Sequence, residues 1–331
     1  MSQAGDCIAL TGATGFLGSH IADDLLARGY RVRAAVRPSS NLRWLEGKAL
    51  EIRQVDLVDP GSVKPFLEDT QGLIHCAGVV SAPSDAAYLA GNVDTTITLL
   101  ESARDTWPAA ADQAVVLISS LAAHGPAAPE TPALETNPCA PVTAYGRSKV
   151  AAEKVVTEGD WPFRTAILRP PGLYGPRDAD FLPLFKAAKA GFSARIGTHL
   201  KALSLVDGRD AARAAVDLLL TSTAHGIFFV DDGHLGYDFH EMNTALARAA
   251  GRRVRLLTVP LGLMKLAAAV VGRHRASRSP VLNPDRLADL SGAGWVCDGS
   301  KLVGTTGFQA HFDLERGFSE TLAFYKEQRW L

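Results

Sequence analysis

Tyr145 and Lys149 stand four positions apart in AYGRSKVAAEK (144–154), at the head of an alanine-rich run. In a helix that spacing is just over one turn, so the two side chains share a face about 6 Å apart along the axis. Two readings are open. The pair is surface decoration, since i,i+4 pairs arise by chance, or it is a phenol made acidic by a neighbouring cation. A free phenol titrates near pH 10, and bringing it to work near pH 7 takes roughly 4 kcal/mol of differential stabilisation. A close ammonium acts in that direction by favouring the phenolate.

A second stretch with chemical content is TGATGFLG (11–18), which follows an apolar run and opens a helical pattern. Gly12 can make a tight turn, Gly15 can let the backbone approach a pyrophosphate, and Gly18 can allow close helix–strand packing. The helix start then offers unpaired N–H groups and a positive dipole end to phosphates. The spacing is G-x-x-G-x-x-G rather than G-x-G-x-x-G, and dinucleotide binding is expected from its place between strand and helix.

The next strand ends Ala35-Val36-Arg37, with Arg43 close behind, where an NAD enzyme usually places Asp or Glu for the ribose 2′-OH. A guanidinium fork at Arg37 suits a 2′-phosphate. NADP(H) is therefore favoured as cofactor, with NAD(H) as the alternative. Asp56 can hold the adenine amino group or cap a helix.

Around these residues the first 170 positions alternate β-branched runs with helical patterns. CIALTG (7–12), RVRAAVR (31–37), ALEIRQVDL (49–57), GLIHCAG (72–78), AVVLISS (114–120) and FRTAILRP (163–170) read as strands. FLGSHIADDLLARG (16–29) reads as a helix, and IFFVDD (227–232) as one further strand after a helix at about 210–222. Such alternation predicts an α/β, doubly wound parallel sheet, with a smaller, mainly helical C-terminal lobe on the substrate side. The expected division is a dinucleotide-binding domain at 5–169 plus about 203–232. A substrate lobe takes about 170–202 and 233–315, and a C-terminal helix 316–331. The proline-rich stretch 125–141 is long for a connector and reads as a lid or binding loop.

The 34 Lys and Arg balance 35 Asp and Glu, so no net field invites nucleic acid or an anionic membrane. Four scattered cysteines lack metal or CxxC spacing and read as free thiols, with no metal site. The N-terminus shows no secretory pattern, and the longest apolar stretch, 261–272, is shorter than the roughly 20 residues of a membrane span. It suits a pocket wall or an ordinary packing helix; a basic stretch, 272–280, follows it. The expectation is a cytoplasmic protein acting on a small molecule.

TGATGFLG, VDL (55–57), SSLAAHG (119–125), YGRSK (145–149) and RPPGLYGPRD (169–178) stand in one order along the chain. Together they resemble the extended short-chain dehydrogenase/reductase family, the NAD-dependent epimerase/dehydratase superfamily. The motifs are closest to its dihydroflavonol-reductase-like and 3β-hydroxysteroid-dehydrogenase-like branches. The resemblance implies a Rossmann fold, Tyr145 as acid/base, Lys149 as its partner and ribose ligand, and Ser120 as the hydroxyl holding the substrate oxygen. It implies that Thr14, Phe16, Leu17, Leu57, Ala77 and Pro170 join Gly12, Gly15, Gly18, Arg37, Arg43 and Asp56 around the cofactor. Asn92 matches a family asparagine at a helix start, with a capping role equally open. His75 and His124 flank the site strands and read as satisfied structural histidines. A homodimer through the helices holding Asn92 and Tyr145 is also implied.

Departures from the family pattern narrow the reaction. Leu121 stands where dehydratases and decarboxylases of the family carry a carboxylate, which argues against both chemistries. The handles for a sugar diphosphate are missing or replaced, with Lys201 near the expected arginine and Arg177 as a substitute. An NADP(H)-dependent interconversion of ketone or aldehyde and alcohol leads, on a substrate that can be bulky and apolar. A nucleotide-sugar epimerase with tightly held NAD is the alternative. A cofactor sensor without catalysis is a third class, disfavoured by the intact Ser120, Tyr145 and Lys149.

Overall fold

The computed structural model describes residues 4–108, 112–260, 262 and 292–331. The apolar stretch 261–272, save Gly262, and the basic stretch 272–280 lie outside them. The chain opens with β1 (Cys7–Thr11), α1 (Phe16–Ala27), β2 (Arg31–Val36), β3 (Glu51–Gln54), α2 (Pro60–Leu67) and β4 (Gly72–His75). It continues with α3 (Asp85–Leu89), a π-helical turn at Ala90–Asp94, α4 (Thr95–Thr106), β5 (Ala114–Ile118), α5 (Leu121–His124), α6 (Ala144–Glu158) and β6 (Arg164–Arg169). After β7 (Gly172–Tyr174), α7 (Leu182–Ala190), β8 (Phe192–Ile196), β9 (Ala202–Leu203) and β10 (Leu205–Asp207) come α8 (Gly208–Leu220) and β11 (Gly226–Phe229). The described remainder is β12 (Tyr237–Asp238), α9 (Phe239–Ala250), β13 (Arg255–Val259), a helix at Ser300–Thr306 and a C-terminal helix at Leu314–Glu327.

Seven strands form one sheet in the order β11-β6-β5-β4-β1-β2-β3, every pair parallel. This is the doubly wound, Rossmann-like architecture that the sequence predicts. Its central strands are buried along their whole length, β1 and β5 at every residue, because helices cover both faces. One face packs Ile8, Leu10, Val116 and Leu168 against Ile21 and Leu25 of α1 and Leu218 of α8. The other packs Leu73, Val115 and Ile167 against Phe66 of α2, Leu99 of α4 and Ala152 of α6. Each such aliphatic side chain contributes about 1.5–3 kcal/mol on burial.

The edge strand β3 is shorter than the run 49–57 and largely exposed, since only β2 pairs with it. A third cluster joins Phe185 of α7, Leu246 of α9, and Phe318 and Tyr325 of the C-terminal helix around Tyr174. After residue 232 the described strands are few and short: β12 pairs with β9, and β13 runs parallel to β8. These short pairs carry too few residues for a period-2 pattern to stand out. The stretch 125–141 is anchored rather than loose. Ala127 N–H donates to Gly294 O and Ala133 N–H to Val296 O, so it runs beside the segment 294–298.

Candidate active site

The chain order of the sheet reverses between β1 and β4, and the crevice beyond the strand ends at such a point is where open α/β sheets take ligands. The glycine loop leaves β1 there. Gly12 has φ +74°, and a Cβ at that position would lie 2.6 Å from the backbone nitrogen of Ala77. A Cβ at Gly18 would lie 2.1 Å from Gly12 O. Both glycines are demanded by the protein's own packing. Gly15 is different. Its φ is −81°, and an added Cβ would have one near contact, Gly12 O at 3.3 Å. An exposed glycine with so little internal reason suits the close approach of a ligand.

Gly15 also starts α1 without any side-chain cap, whereas Asp59, Thr143 and Asp207 cap α2, α6 and α8. The first-turn N–H groups of α1 are thus left for something outside the helix. That donor set fits a dinucleotide pyrophosphate over Gly12, Thr14, Gly15, Phe16, Leu17 and Gly18. Within the loop Leu17 is buried in the core, and Phe16 packs on Gly208 at the start of α8. Ala77 donates its N–H to Thr11 Oγ1 and walls the loop from the β4 side.

At the end of β2, Arg37 is exposed, its backbone N–H held by Ser40 Oγ. No carboxylate pairs with its guanidinium among the described residues. Arg43 is exposed too, its guanidinium carbon 4.2 Å from the ring centroid of Trp44. Asp56 is exposed, and its Oδ1 accepts the Val58 N–H; the cap of α2 is Asp59 instead. Leu57 is half-buried and packs on the core beside α2.

Tyr145 and Lys149 lie in the first half of α6, on one face, as their spacing predicts. Lys149 Nζ is 5.9 Å from the Tyr145 ring centroid and donates to Ile118 O at 2.9 Å. Burial pushes the Lys149 pKa down from 10.5 to about 8, against the smaller opposing pull of Cys76 and Glu153. Ser120 caps α5, its Oγ accepting the Ala122 N–H at 3.1 Å, which leaves the hydroxyl hydrogen to donate. The turn after Ser120 abuts α6: a Cβ at Gly146 would lie 2.3 Å from Ala122 O. Pro170 reaches the same spot, its carbonyl accepting the Leu121 N–H at 2.9 Å. A Cβ at Gly78, one residue past Ala77, would lie 3.2 Å from Lys149 Nζ. The glycine loop thus meets the β4 exit, the β4 exit meets Lys149, and the turn after Ser120 meets the first turn of the Tyr145 helix.

Two further residues support this cluster: Asn92, which the sequence singles out with its role open, and Glu153, which it does not. Asn92 sits in the π-helical turn, buried, and does not cap a helix. Its amide exchanges two hydrogen bonds with the backbone of Val79 and donates to Ser148 Oγ at 2.9 Å, tying the β4 exit to α6. Glu153, one turn beyond Lys149, accepts from Ser119 Oγ at 2.5 Å, Arg169 Nε at 2.8 Å and Arg169 Nη2 at 2.6 Å. Ser119 precedes Ser120 and Arg169 precedes Pro170, so one carboxylate pins the ends of β5 and β6 to the helix of Tyr145. The nearest sequence signal is the i,i+4 spacing of Lys149 and Glu153, which names no partner on β6.

His75 is satisfied as expected: its Nδ1 is 2.7 Å from Thr11 Oγ1, and burial drives its pKa down to about 3, so the ring is neutral. His124 is satisfied only in part: its Nδ1 lies 3.1 Å from Gly125 O, and its buried Nε2 meets no hydrogen-bond partner among the described residues. Arg177, a candidate phosphate handle, donates to Ser19 Oγ and pairs with Asp23 at 2.7 Å. Lys201 pairs with Glu130 at 3.0 Å. Among the described residues no helix is long and apolar enough to cross a membrane.

Residues 8–228 match the NAD-dependent epimerase/dehydratase family. Over its whole length the chain is 27% identical to a ceramide reductase of Caulobacter vibrioides, covering 98% of that protein. It is 28% identical to a UDP-glucose 4-epimerase of Vibrio cholerae, across 95% of this chain and 94% of that one. The crystal structure of UDP-glucose 4-epimerase from Thermotoga maritima with UDP-glucose superposes with a TM-score of 0.78 at 18% identity, over 98% of this chain and 99% of the other.

Proposed function

Since the chain belongs to the NAD-dependent epimerase/dehydratase family of extended short-chain dehydrogenases and reductases, we propose that it is an NADP(H)-dependent reductase of a bulky, apolar ketone or aldehyde. The observation that carries this choice over epimerisation is the engagement of Arg177, a candidate sugar-diphosphate handle, by Asp23 and Ser19. Lys201 makes an exposed contact with Glu130. Leu121 is buried where a second proton-moving carboxylate would stand, which leaves simple hydride chemistry. Full-length likeness to a ceramide reductase supports a large apolar substrate, selected by the lobe beyond β6.

A bound nicotinamide supplies the hydride. The residues of this chain handle the oxygen. As the carbonyl becomes an alcohol, the Tyr145 hydroxyl gives up its proton to the carbonyl oxygen, and the Ser120 hydroxyl donates a hydrogen bond to the same atom. Lys149, charged below about pH 8, favours the phenolate left behind. The glycine loop and the uncapped start of α1 take the pyrophosphate, and Arg37 takes the 2′-phosphate. A homodimer through the helical segments holding Asn92 and Tyr145 belongs to the same reading, and sedimentation tests it.

Titrating the protein with NADPH and NADH, followed by nicotinamide fluorescence, tests the cofactor. A preference for NADPH that Arg37→Ala abolishes supports the proposal, and NADPH oxidation by a panel of long-chain ketones then tests the substrate. The second reading, a nucleotide-sugar epimerase, draws on the full-length likeness to the Vibrio enzyme. NAD that survives washing, together with calorimetric binding of UDP-glucose, would put it first.

A further inference from the structure

We infer that Trp330, near the C-terminus, is a positioning residue for cofactor choice, bracketing Arg43 against Trp44 so that its guanidinium edge faces the 2′-phosphate. This rests on the NADP(H) reading above. The Arg43 guanidinium carbon lies 4.2 Å from the Trp44 centroid and 5.2 Å from that of Trp330, with the two indoles 6.4 Å apart. These distances set the guanidinium in the corner that the two indoles form, and among the described residues no carboxylate or carbonyl takes its N–H fork. An arginine held this way has given up its rotamer freedom in advance and keeps its bidentate edge for an anion.

The bracket stands beside the phosphate end of α1. Arg177 lies over Trp44 at 5.5 Å and donates to Ser19 Oγ, one turn into that helix. Arg43 follows Arg37 on the loop leaving β2, the loop that carries the 2′-phosphate choice in the proposed reading. Trp330 is itself fixed. Arg329 turns left-handed at φ +56°, Trp330 N–H donates to Tyr325 O at 2.8 Å, and its ring stacks on Tyr325 at 5.6 Å. Tyr325 is fully buried and its hydroxyl donates to Asp178 at 3.2 Å. Trp330, far from Arg43 in sequence, thus packs against the loop that leaves β2.

The test is fluorescence titration with NADPH and NADH of the full chain and its Trp330→Ala, Trp330→Phe, Arg43→Ala and double Trp330→Ala/Arg43→Ala variants. Trp330→Ala should weaken NADPH roughly tenfold and leave NADH within about twofold, and Trp330→Phe should recover most of the loss. In the Arg43→Ala background, Trp330→Ala should cost NADPH nothing further. Equal weakening of both cofactors, or a loss that persists without Arg43, would mean that the aromatic cluster only anchors the last helix, and the inference falls. If Trp330→Ala does not fold, Arg43→Lys decides. It keeps the charge but loses the planar fork, so intact NADPH preference overturns the bracket and lost preference supports it. A wild type that prefers NADH sinks the cofactor reading itself. A wild type that prefers NADPH while Trp330→Ala keeps that preference sinks this inference alone.

Discussion

Lys149 and Glu153 sit one turn apart on α6, both almost fully buried, and the protein treats them in opposite ways. Glu153 is satisfied by Ser119 and by two nitrogens of Arg169, itself 1% exposed. Burial works against the Arg169 charge, yet the Glu153 hydrogen bonds and charge outweigh it and hold the guanidinium pKa up. Lys149 has one carbonyl and no carboxylate within ion-pair distance among the described residues, and burial drags its pKa down. One buried charge is paired and rigidifies. The other carries a burial cost that its surroundings offset only in part, which suits the role proposed for it beside Tyr145.

The largest effect should come from Tyr145→Phe. Removing the proposed general acid should cut turnover by about 10²–10⁴. Retained activity would place the chemistry elsewhere. On the paired side, Glu153→Ala should destabilise the fold by about 3–5 kcal/mol in urea unfolding, since Arg169 is left charged and buried. A loss under about 1 kcal/mol would mean that the pair is solvated after all.

Lys149→Met sharpens the contrast. Activity should collapse, yet the apo protein should be as stable as wild type at pH 7 or more so. The sign follows from the pKa order. A lysine at about 8 when folded and 10.5 when unfolded lets the unfolded chain bind more protons between those values. Wild-type stability should therefore gain relative to Lys149→Met as pH rises from about 8 to 10.5. Thermal melts of both proteins across that window check it, and parallel curves would remove the depressed pKa.

Much of this was legible without coordinates. Strands such as CIALT and AVVLI announce themselves as unbroken apolar runs, and Tyr145 and Lys149 share a helical face by spacing alone. The anchored course of 125–141, the π-helical seat of Asn92 and the short sheets beyond residue 232 were not legible. Their partners lie far away in sequence: Ala133 meets Val296, and Asn92 meets Ser148 across 56 positions.

By itself, then, the sequence determined what local geometry governs: the alternating layers, the glycine turn at Gly12, and the Tyr145–Lys149 face. Each follows from steric limits or a short repeat within one element. Only the tertiary structure decided which charges are spent and which are kept. Arg177 and Lys201 meet acids, Glu153 meets Arg169, and Lys149 meets a carbonyl and no carboxylate among the described residues, because pairing across elements depends on how helices pack on the sheet and leaves no periodic trace along the chain.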